Sequence, residues 1–312
     1  MIAGAAASKR SRQARADTVQ PGSRSVPSVT PGARFRELLA GPPFIAADCY
    51  SGLTARIVQD VGFPAAYMGG HSTSMMHYAV PDYGVFTSTE MIEIASRVAE
   101  AITIPLVVDA DEAGESVASV HRAIRRYERA GLAGVHIEDE IDPKHSVWDG
   151  PLLPIPDLQA RVETAVNARR SDDFVVIVRS NEFQVDNGGG TGSLDEMIRR
   201  AVAAAEAGAD AFIPTFADEQ QLAAIAAEVD LPLGGYQALI SGLQFTLFTG
   251  WGVWVAAEAH RRVASHIFEH GDLPPDFGGD FDRRTLTDQT AYDDVIRRWA
   301  ERTGRPTRPL PW

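Results

Sequence analysis

From about residue 34 to residue 270, short apolar runs alternate with longer stretches in which apolar residues lie three or four positions apart. Short runs bounded by turn residues are typical of buried strands, and the longer spacing is typical of helices with one buried face. This alternation excludes all-α and all-β folds and favours parallel strands connected by helices. The predicted strands are 44–47, 65–68, 106–109, 134–138, 174–179, 211–214, 231–234 and 252–255.

Helical periodicity separates several of these strands. Glycine follows three helical stretches, at Gly62, Gly131 and Gly208, where it can close a helix in the left-handed conformation. Because eight strands suit a closed barrel, we predict an α/β fold, a (β/α)8 TIM-type barrel with additional C-terminal helices. A doubly wound sheet is the alternative, although no G-x-G-x-x-G motif follows the first strand. The predicted helices include 89–101, 116–130, 156–168, 193–207 and 218–228.

The two ends of the chain differ from this central region. We predict a disordered basic tail at 1–33, the catalytic barrel at 34–270 and a helical appendage at 271–312. The net charge of −13 argues against nucleic acid and anionic membrane surfaces as partners. No window is apolar enough for a membrane span, and the single cysteine, Cys49, suits a reducing compartment, so we expect a cytoplasmic protein.

Acidic residues follow two neighbouring predicted strands. Asp109 and Asp111 come at the end of one strand, and Glu138 ends the next. The carboxyl ends of parallel strands lie at one edge of a sheet, so these side chains should converge. Carboxylates placed close together repel each other unless a cation lies between them. Because the clusters contain no cysteine, the pattern favours an oxygen-preferring ion such as Mg²⁺.

Several short motifs together give a specific signal, although each one alone is weak. They resemble, in order and approximate spacing, the isocitrate lyase and phosphoenolpyruvate mutase superfamily over roughly residues 34–270. The motifs are Tyr50-Ser51-Gly52-Leu53-Thr54-Ala55-Arg56, Pro81-Asp82-Tyr83-Gly84, Asp109-Ala110-Asp111, His136-Ile137-Glu138-Asp139, Pro143-Lys144 and Val178-Arg179.

The resemblance implies roles for residues within these motifs. Asp111 would be the principal Mg²⁺ ligand, with Mn²⁺ as a substitute, and Asp82, Asp109 and Glu138 would hold the water shell of the ion. A small carboxylic acid would be the substrate, and backbone amides would bind its carboxylate and its enolate oxygen. The substrate-binding residues would be Tyr50, Ser51, Gly52, Leu53, Ser146 and Arg179.

The loop after Glu138 departs from the family pattern. It contains Lys144-His145-Ser146-Val147, where the lyases carry Lys-Cys-Gly-His and the phosphonopyruvate enzymes carry Lys-Thr-Asn-Ser. The cysteine is the expected acid of the lyases, so its absence argues against an isocitrate or methylisocitrate lyase. The absence of this asparagine weakens the case for a phosphoryl-transfer enzyme. We predict Lys144, His145 and Arg179 as the catalytic residues.

Other residues have competing interpretations. Glu112 and Glu115 stand where the family has uncharged residues; they would provide a metal ligand or a base, repel a second substrate carboxylate, or favour a helix start. Thr215 replaces a glutamate of the lyases. Simpler interpretations apply to His136 (core), Asp139 and Glu140 (solvated or supporting groups), and Trp251 and Trp254 (packing).

These features favour a Mg²⁺-dependent carbon-carbon bond lyase that acts on a small 2-oxo or 2-hydroxy carboxylic acid through a metal-stabilised enolate. Decarboxylation of an oxaloacetate-like acid is the simplest example, because its product needs no cysteine acid; retro-aldol and retro-Claisen cleavage belong to the same class. The alternatives are a phosphonopyruvate hydrolase or phosphoenolpyruvate phosphonomutase, and a non-catalytic binding subunit. The resemblance also implies a homodimer or homotetramer with an exchanged C-terminal helix.

Overall fold

The structure, a computed structural model, describes residues 29–148, 150–186, 189–236, 238–276 and 283–307. The strands in these ranges are β1 Phe44–Asp48, β2 Ala65–Met68, β3 Leu106–Asp109, β4 Gly134–Glu138, β5 Val175–Ser180, β6 Ala211–Pro214, β7 Gly234–Tyr236 and β8 Phe245–Phe248. They form one parallel sheet in the order β6-β5-β4-β3-β2-β1-β8-β7. A bridge between Phe212 and Leu233 brings β6 beside the segment before β7, so the sheet is a nearly closed barrel, as predicted.

Helices cover the outside of the barrel. The predicted helices lie within two residues of their observed bounds, and three of the offsets arise because Ser116, Ser193 and Asp218 are N-caps and not helical residues. The helices are α1 Pro31–Leu39, α2 Gly52–Val61, α3 Gly70–Thr73, α4 Ser88–Ala101, α5 Val117–Arg129, α6 Ile155–Ala168, α7 Leu194–Glu206, α8 Glu219–Ala226, α9 Trp251–His270, α10 Arg283–Leu286 and α11 Gln289–Thr303, and a π-helical turn spans Ser74–Tyr78.

Helix α1 closes the amino-terminal end of the barrel. Phe35 is fully buried, and its ring meets the rings of Phe44 and Phe245, with centroids 5.5 Å and 6.3 Å away. Phe44 and Phe245 are the first residues of β1 and β8, so these edge-to-face contacts fill the end where the strands begin. The opposite end, where the strands finish, is left for a functional site.

The seventh and eighth strands differ from the prediction. The segment 252–255 forms the first turn of α9, and the eighth strand is β8, which pairs with β1 and β7. Trp254 and Val255 favour strands by residue type, yet they follow Gly250, whose φ of +80° begins the helix. The seventh strand starts at Gly234; before it, Leu233 forms an isolated bridge with Phe212, and Pro232 has no N–H to extend a ladder.

The ends of the described chain bear on the predicted domain limits. Helix α1 begins at Pro31 after the N-cap Thr30, so residues 31–33 of the predicted tail are helical, while residues 1–28 lie outside the described part. Helix α9 ends at His270, and α10 and α11 follow within the predicted appendage. The division into three domains stays a prediction. Among the described helices, none is both long and apolar enough to cross a membrane.

A buried carboxylate at the end of β1 links three segments of the fold. Asp48 Oδ2 accepts hydrogen bonds from Ser72 Oγ at 2.7 Å and from the Gly250 amide at 3.2 Å. Burial raises the pKa of Asp48 from 3.8 to about 6, although these hydrogen bonds oppose the shift. Asp48 therefore keeps a proton in the folded chain at pH values where the unfolded chain has lost it.

We predict that Asp48→Asn changes the pH dependence of stability. For a carboxyl group with a raised pKa, the unfolded chain releases its proton first, so rising pH lowers the free energy of unfolding of the native protein. Between pH 4 and pH 7 the native protein should lose about 3 kcal/mol relative to the variant, at 1.36 kcal/mol per pKa unit. Urea denaturation of both proteins at each pH measures the difference. A difference that does not vary with pH would contradict the assignment.

Candidate functional site

The four carboxylates predicted as metal ligands converge at the carboxyl ends of the strands. A methyl group built on Gly70 would lie 2.9 Å from Asp82 Oδ1, 3.2 Å from Asp109 Oδ2 and 3.5 Å from Asp111 Oδ1. The Gly70 amide itself donates to Asp109 Oδ2 at 3.0 Å. Glu138 ends β4 next to Asp109 of β3 and shares the Lys144 ammonium group with Asp111.

Two cations partly neutralise this acidic cluster. Lys144 Nζ donates to Glu138 Oε1 at 2.5 Å and to Asp111, and it is buried. Arg179 Nη1 lies 2.6 Å from Glu138 Oε2. Four carboxylates thus face two cations. Asp82 Oδ1 is buried without a hydrogen-bond partner in the described part of the chain, which leaves an oxygen available to a metal ion.

The pKa shifts follow from this balance of burial and charge. Burial raises the pKa of Asp82 and raises that of Asp111 well above its ordinary value, although Lys144 opposes both shifts. Burial also acts against ionisation of Glu138, but Lys144 and Arg179 outweigh it and lower the pKa of that carboxyl group. Two carboxyl groups are therefore pushed towards the neutral form, and a divalent cation would supply the charge that keeps all four ionised.

His136 lies beside the acidic cluster. It is fully buried, as predicted for a core residue, and its Nε2 lies 2.9 Å from Tyr67 Oη and 3.5 Å from Asp109 Oδ1. Burial lowers the pKa of His136, which favours the neutral imidazole. One ligand atom each from Asp109, His136 and Glu138 fit within 4.8 Å of one another, so the cluster is suited to a metal ion.

A cavity of about 630 Å³ opens above the acidic cluster and is called the main cavity here. Asp82, Asp109, His145 and Arg179 contribute to its lining. Trp251 and Trp254, interpreted above as packing residues, instead line this cavity, and they are 43% and 63% exposed. Other aromatic residues of the lining lie in or just after separate strands, and no local pattern in the sequence marks them: Tyr67, Phe216, Tyr236 and Phe248.

Asp139 and Glu140 are buried, so the idea that they are solvated is wrong. Asp139 accepts hydrogen bonds from the Asn181 amide at 3.0 Å and from Arg200 Nη1 at 3.1 Å. Glu140 accepts from Asn181 Nδ2, and its Oε1 lies 3.4 Å from His145 Nδ1. Burial and then Glu138 raise the pKa of Glu140 to about 8. Both carboxyl groups support residues around the cavity.

The structure accounts for the two extra acidic residues after β3. Glu112 Oε2 accepts from Arg161 Nη1 at 2.7 Å, and the same nitrogen donates to the Glu112 carbonyl oxygen at 2.6 Å. Glu115 is exposed beside the N-cap of α5. Neither residue lines the main cavity. Glu112 thus anchors its loop to α6 and is not among the carboxylates that converge at Gly70.

The predicted substrate-binding turn is built as a helix start. Ser51 is the N-cap of α2, and the amides of Tyr50 and Ser51 donate to Thr54 Oγ1 at 3.1 Å and 3.0 Å. The amides of Gly52 and Leu53 belong to the first turn of the helix. Ser146 Oγ donates to the Pro143 carbonyl at 2.7 Å. Tyr50, Ser51, Gly52, Leu53 and Ser146 do not line the main cavity, and their substrate contacts stay predictions.

We predict that Gly70→Ala weakens binding of a divalent cation at least tenfold. The added methyl group would lie closer to Asp82 and Asp109 than side chains normally tolerate, so these carboxylates must move apart. Titration of Mn²⁺ followed by electron paramagnetic resonance measures the affinity. Gly41→Ala, in the turn before β1, is the control and should leave affinity unchanged. Equal affinities for both variants would show that the carboxylates near Gly70 do not hold the ion.

Comparison with known protein sequences adds an independent line of support. The family model described as phosphoenolpyruvate phosphomutase matches residues 35–259, more than half of the chain. Isocitrate lyase of Haloferax volcanii is 37% identical over 195 residues, 62% of this chain, which spans only 55% of that relative. The 2,3-dimethylmalate lyase of Eubacterium barkeri is 29% identical over 245 residues, 73% of this chain and 82% of that protein. Oxaloacetate decarboxylase of Rhodopseudomonas palustris is 33% identical over 236 residues, 74% and 79% of the two chains.

Solved structures agree in fold. Phosphoenolpyruvate phosphomutase from Streptomyces platensis subsp. rosaceus superimposes with a TM-score of 0.75 at 26% identity, covering 88% of this chain and 99% of that one. A 2,3-dimethylmalate lyase superimposes with a TM-score of 0.74 at 25% identity and the same coverage. The motifs, the barrel and the family match therefore agree, and the chain belongs to the phosphoenolpyruvate phosphomutase family, within the isocitrate lyase and phosphoenolpyruvate mutase superfamily.

Proposed function

We propose that the protein is a Mg²⁺-dependent lyase that cleaves a carbon-carbon bond in a small 2-oxo or 2-hydroxy carboxylic acid. The observation that carries the proposal is the convergence of four carboxylates on Gly70 and Lys144, with two cations for four acids, beneath an open cavity. Relatives named oxaloacetate decarboxylase and 2,3-dimethylmalate lyase support the reaction class. Hard carboxylate oxygens suit Mg²⁺, and Mn²⁺ would substitute for it.

The acidic residues would hold the ion directly or through water: Asp82, Asp109, Asp111 and Glu138. Bound there, Mg²⁺ supplies Lewis-acid stabilisation for the negative charge that develops on a substrate oxygen when the bond breaks. Arg179 would orient that oxygen. Its guanidinium group is fixed by Glu138, by Asn181 Oδ1 at 3.1 Å from Nε, and by the Tyr236 ring at 5.2 Å, so it offers a positioned charge.

Of the predicted catalytic residues, Lys144 and His145 are the candidates for protonating the enolate, and His145 is the better supported. Burial acts against the charged form of Lys144, but Asp111 and Glu138 outweigh it and raise the pKa of this ammonium group well above its usual value. Lys144 would therefore remain a fixed cation. His145 lines the main cavity, and Glu140 lies beside its Nδ1, where a carboxyl group can orient the ring. We assign the protonation of the enolate product to His145.

The phosphonopyruvate alternative has less support from the site. Ser146, one of the predicted substrate-binding residues, would have to bind phosphoryl oxygens in these enzymes. Its hydroxyl group instead donates to the Pro143 carbonyl and accepts from the Trp148 amide at 3.1 Å. It lies outside the lining of the main cavity. A non-catalytic role would leave buried carboxylates without compensating charge, which is costly to keep. The lyase proposal requires no phosphoryl contact from Ser146, and it provides a cation for the buried carboxylates.

The proposal predicts Mg²⁺-dependent product formation that depends on Asp111. NMR product analysis with oxaloacetate should show enzyme-dependent pyruvate, and with phosphonopyruvate no phosphate and no phosphoenolpyruvate. Asp111→Asn should lower the rate about a hundredfold or more, because it removes a charged metal ligand. Glu115→Gln makes the same chemical change four residues away on an exposed side chain and should keep the rate.

The outcomes of this experiment separate the candidate functions. Phosphate release from phosphonopyruvate would favour the hydrolase, and formation of phosphoenolpyruvate would favour the mutase. Loss of activity in both variants would indicate damage to the fold and not to a metal ligand. Failure of the protein to bind either Mg²⁺ or Mn²⁺ would contradict a metal-dependent lyase and favour the non-catalytic role.

We also propose a homodimer or homotetramer in which a C-terminal helix is exchanged. In the second half of α9, at 261–270, none of the described residues is buried. Phe268 is 91% exposed, and α11 also presents Val295 and Trp299 to solvent. Apolar side chains of this size are normally covered, and a second copy of the chain is the occupant that a symmetric assembly supplies.

We predict that the double substitution Ile267→Asp and Phe268→Asp lowers the molar mass measured by light scattering after size-exclusion chromatography. Two new carboxylates on the proposed interface would have to be buried without partners, so the subunits should separate. Glu258→Gln, on the same helix but without apolar surface, should keep the native mass. If the native protein is already monomeric at micromolar concentration, the proposal of an exchanged helix is wrong.

A further inference from the structure

The main cavity has two chemically different sides. Asp82, Asp109 and Arg179 lie at the side formed by the loops and ends of β2, β3 and β5. The other side is formed by the end of β8 and the segments that follow β6 and β8, and it contributes four aromatic rings to the lining. These rings belong to Phe216, Phe248, Trp251 and Trp254, and we call them the aromatic wall.

Phe216 is held in an unusual conformation at this wall. Its φ is +64°, in the left-handed region that residues with a side chain adopt at a cost. Its ring is nevertheless 63% exposed, so packing in the core does not explain the conformation. Trp254 is equally exposed, and its ring centroid lies 6.4 Å from that of His71 on the facing segment. Large rings that face an open cavity offer apolar area to a ligand.

The same side has no permanent cation for a second carboxylate. Of the described residues around the cavity, Arg179 alone is a lysine or arginine. Its guanidinium group is already engaged by Glu138, Asn181 and Tyr236. Thr215, where lyases of the family have glutamate, lies with its hydroxyl oxygen 3.4 Å from Arg179 Nε and adds no charge. A dicarboxylic acid placed across the cavity would leave its distal carboxylate against aromatic rings.

The main cavity also has a larger volume than a four-carbon acid would fill. The cavity of about 630 Å³ corresponds to roughly 20 water molecules at their share of liquid volume. Arg179, Phe216 and Trp254 line the same cavity, so a substrate held at Arg179 would extend its remaining atoms towards the two rings.

We propose that the substrate carries an apolar or aromatic substituent that packs against the aromatic wall, and no second carboxylate on that side. This inference rests on the proposed function, since it takes the acidic side as the place where the 2-oxo or 2-hydroxy acid end binds. It extends the substrate class from a small acid such as oxaloacetate, whose four carbons would stay at the acidic side, to acids with a branched-chain or aryl tail.

The test compares matched 2-oxo acids by isothermal titration calorimetry with the Mg²⁺-loaded protein. 5-Methyl-2-oxohexanoate has the shape of 2-oxoglutarate with an isopropyl group in place of the distal carboxylate. We expect it to bind about tenfold or more tightly than 2-oxoglutarate, and phenylpyruvate to bind about tenfold more tightly than pyruvate. Tighter binding of 2-oxoglutarate than of its apolar counterpart would overturn the proposal.

Variants of the aromatic wall locate the effect. Phe216→Gly removes the ring and suits the positive φ, and Trp254→Ala removes the second ring; each should lower the affinity for phenylpyruvate at least about fivefold. Both should leave the affinity for pyruvate within about twofold. Val61→Ala, an exposed apolar position on α2, is the control. If a variant lost affinity equally for phenylpyruvate and pyruvate, the aromatic wall would not be the site that binds the apolar substituent.

The proposed function and this inference fail in different ways. If pyruvate and the other 2-oxo acids do not bind at all in the presence of Mg²⁺, the lyase proposal fails and the inference fails with it. If pyruvate and 2-oxoglutarate bind while the apolar tails bring no gain, the lyase proposal stands and only the aromatic wall loses its role.

Discussion

The charge imbalance at the carboxyl edge of the barrel is the constraint on which the site depends. Four carboxyl groups lie close together and largely buried, and only Lys144 and Arg179 oppose them. Burying like charges is unfavourable unless positive charge is brought to them. Neighbouring groups hold the two cations in place. Glu138 contacts both of them, and Arg179 Nε donates hydrogen bonds to Asn181 and Thr215. The remaining negative charge is what a divalent ion would balance.

The backbone makes this concentration of charge sterically feasible. The first residue of α3 is Gly70, and the absence of a side chain there leaves room for Asp82, Asp109 and Asp111 to approach one another. Asp111 has a φ of +49°, so the chain turns sharply after β3 and its amide donates to Asp109 Oδ1 at 2.9 Å. Arg161 then anchors the turn through Glu112. The extra carboxylate in this loop thus supports the backbone that presents the ligands.

The sequence predicted the barrel and its acidic edge because both depend on local signals. Strand and helix periodicities differ, and a carboxylate that directly follows a buried strand can lie only at its carboxyl end. The last strand was misplaced because Val253, Trp254 and Val255 have strand-forming types but belong to α9. The burial of Asp139 and Glu140 depends on Arg200 and Asn181, which are far away in the sequence, so no local pattern could reveal it. The aromatic wall combines residues that follow β6 and β8 and was missed for the same reason.

The proposed reaction class explains why the two sides of the main cavity differ in chemistry. Stabilising an enolate requires contacts only with the oxygen atoms around the bond that breaks, and these contacts come from the acidic side and Arg179. The rest of the substrate takes no part in the charge redistribution, so the residues that face it can change without altering the chemistry. Thr215 in place of a glutamate, Phe216 with its positive φ, and the tryptophans of α9 all lie on that side. Under the proposed function, the changes on that side would alter which acid is accepted, whereas His145, in the position of the lyase cysteine, would alter how the product receives its proton.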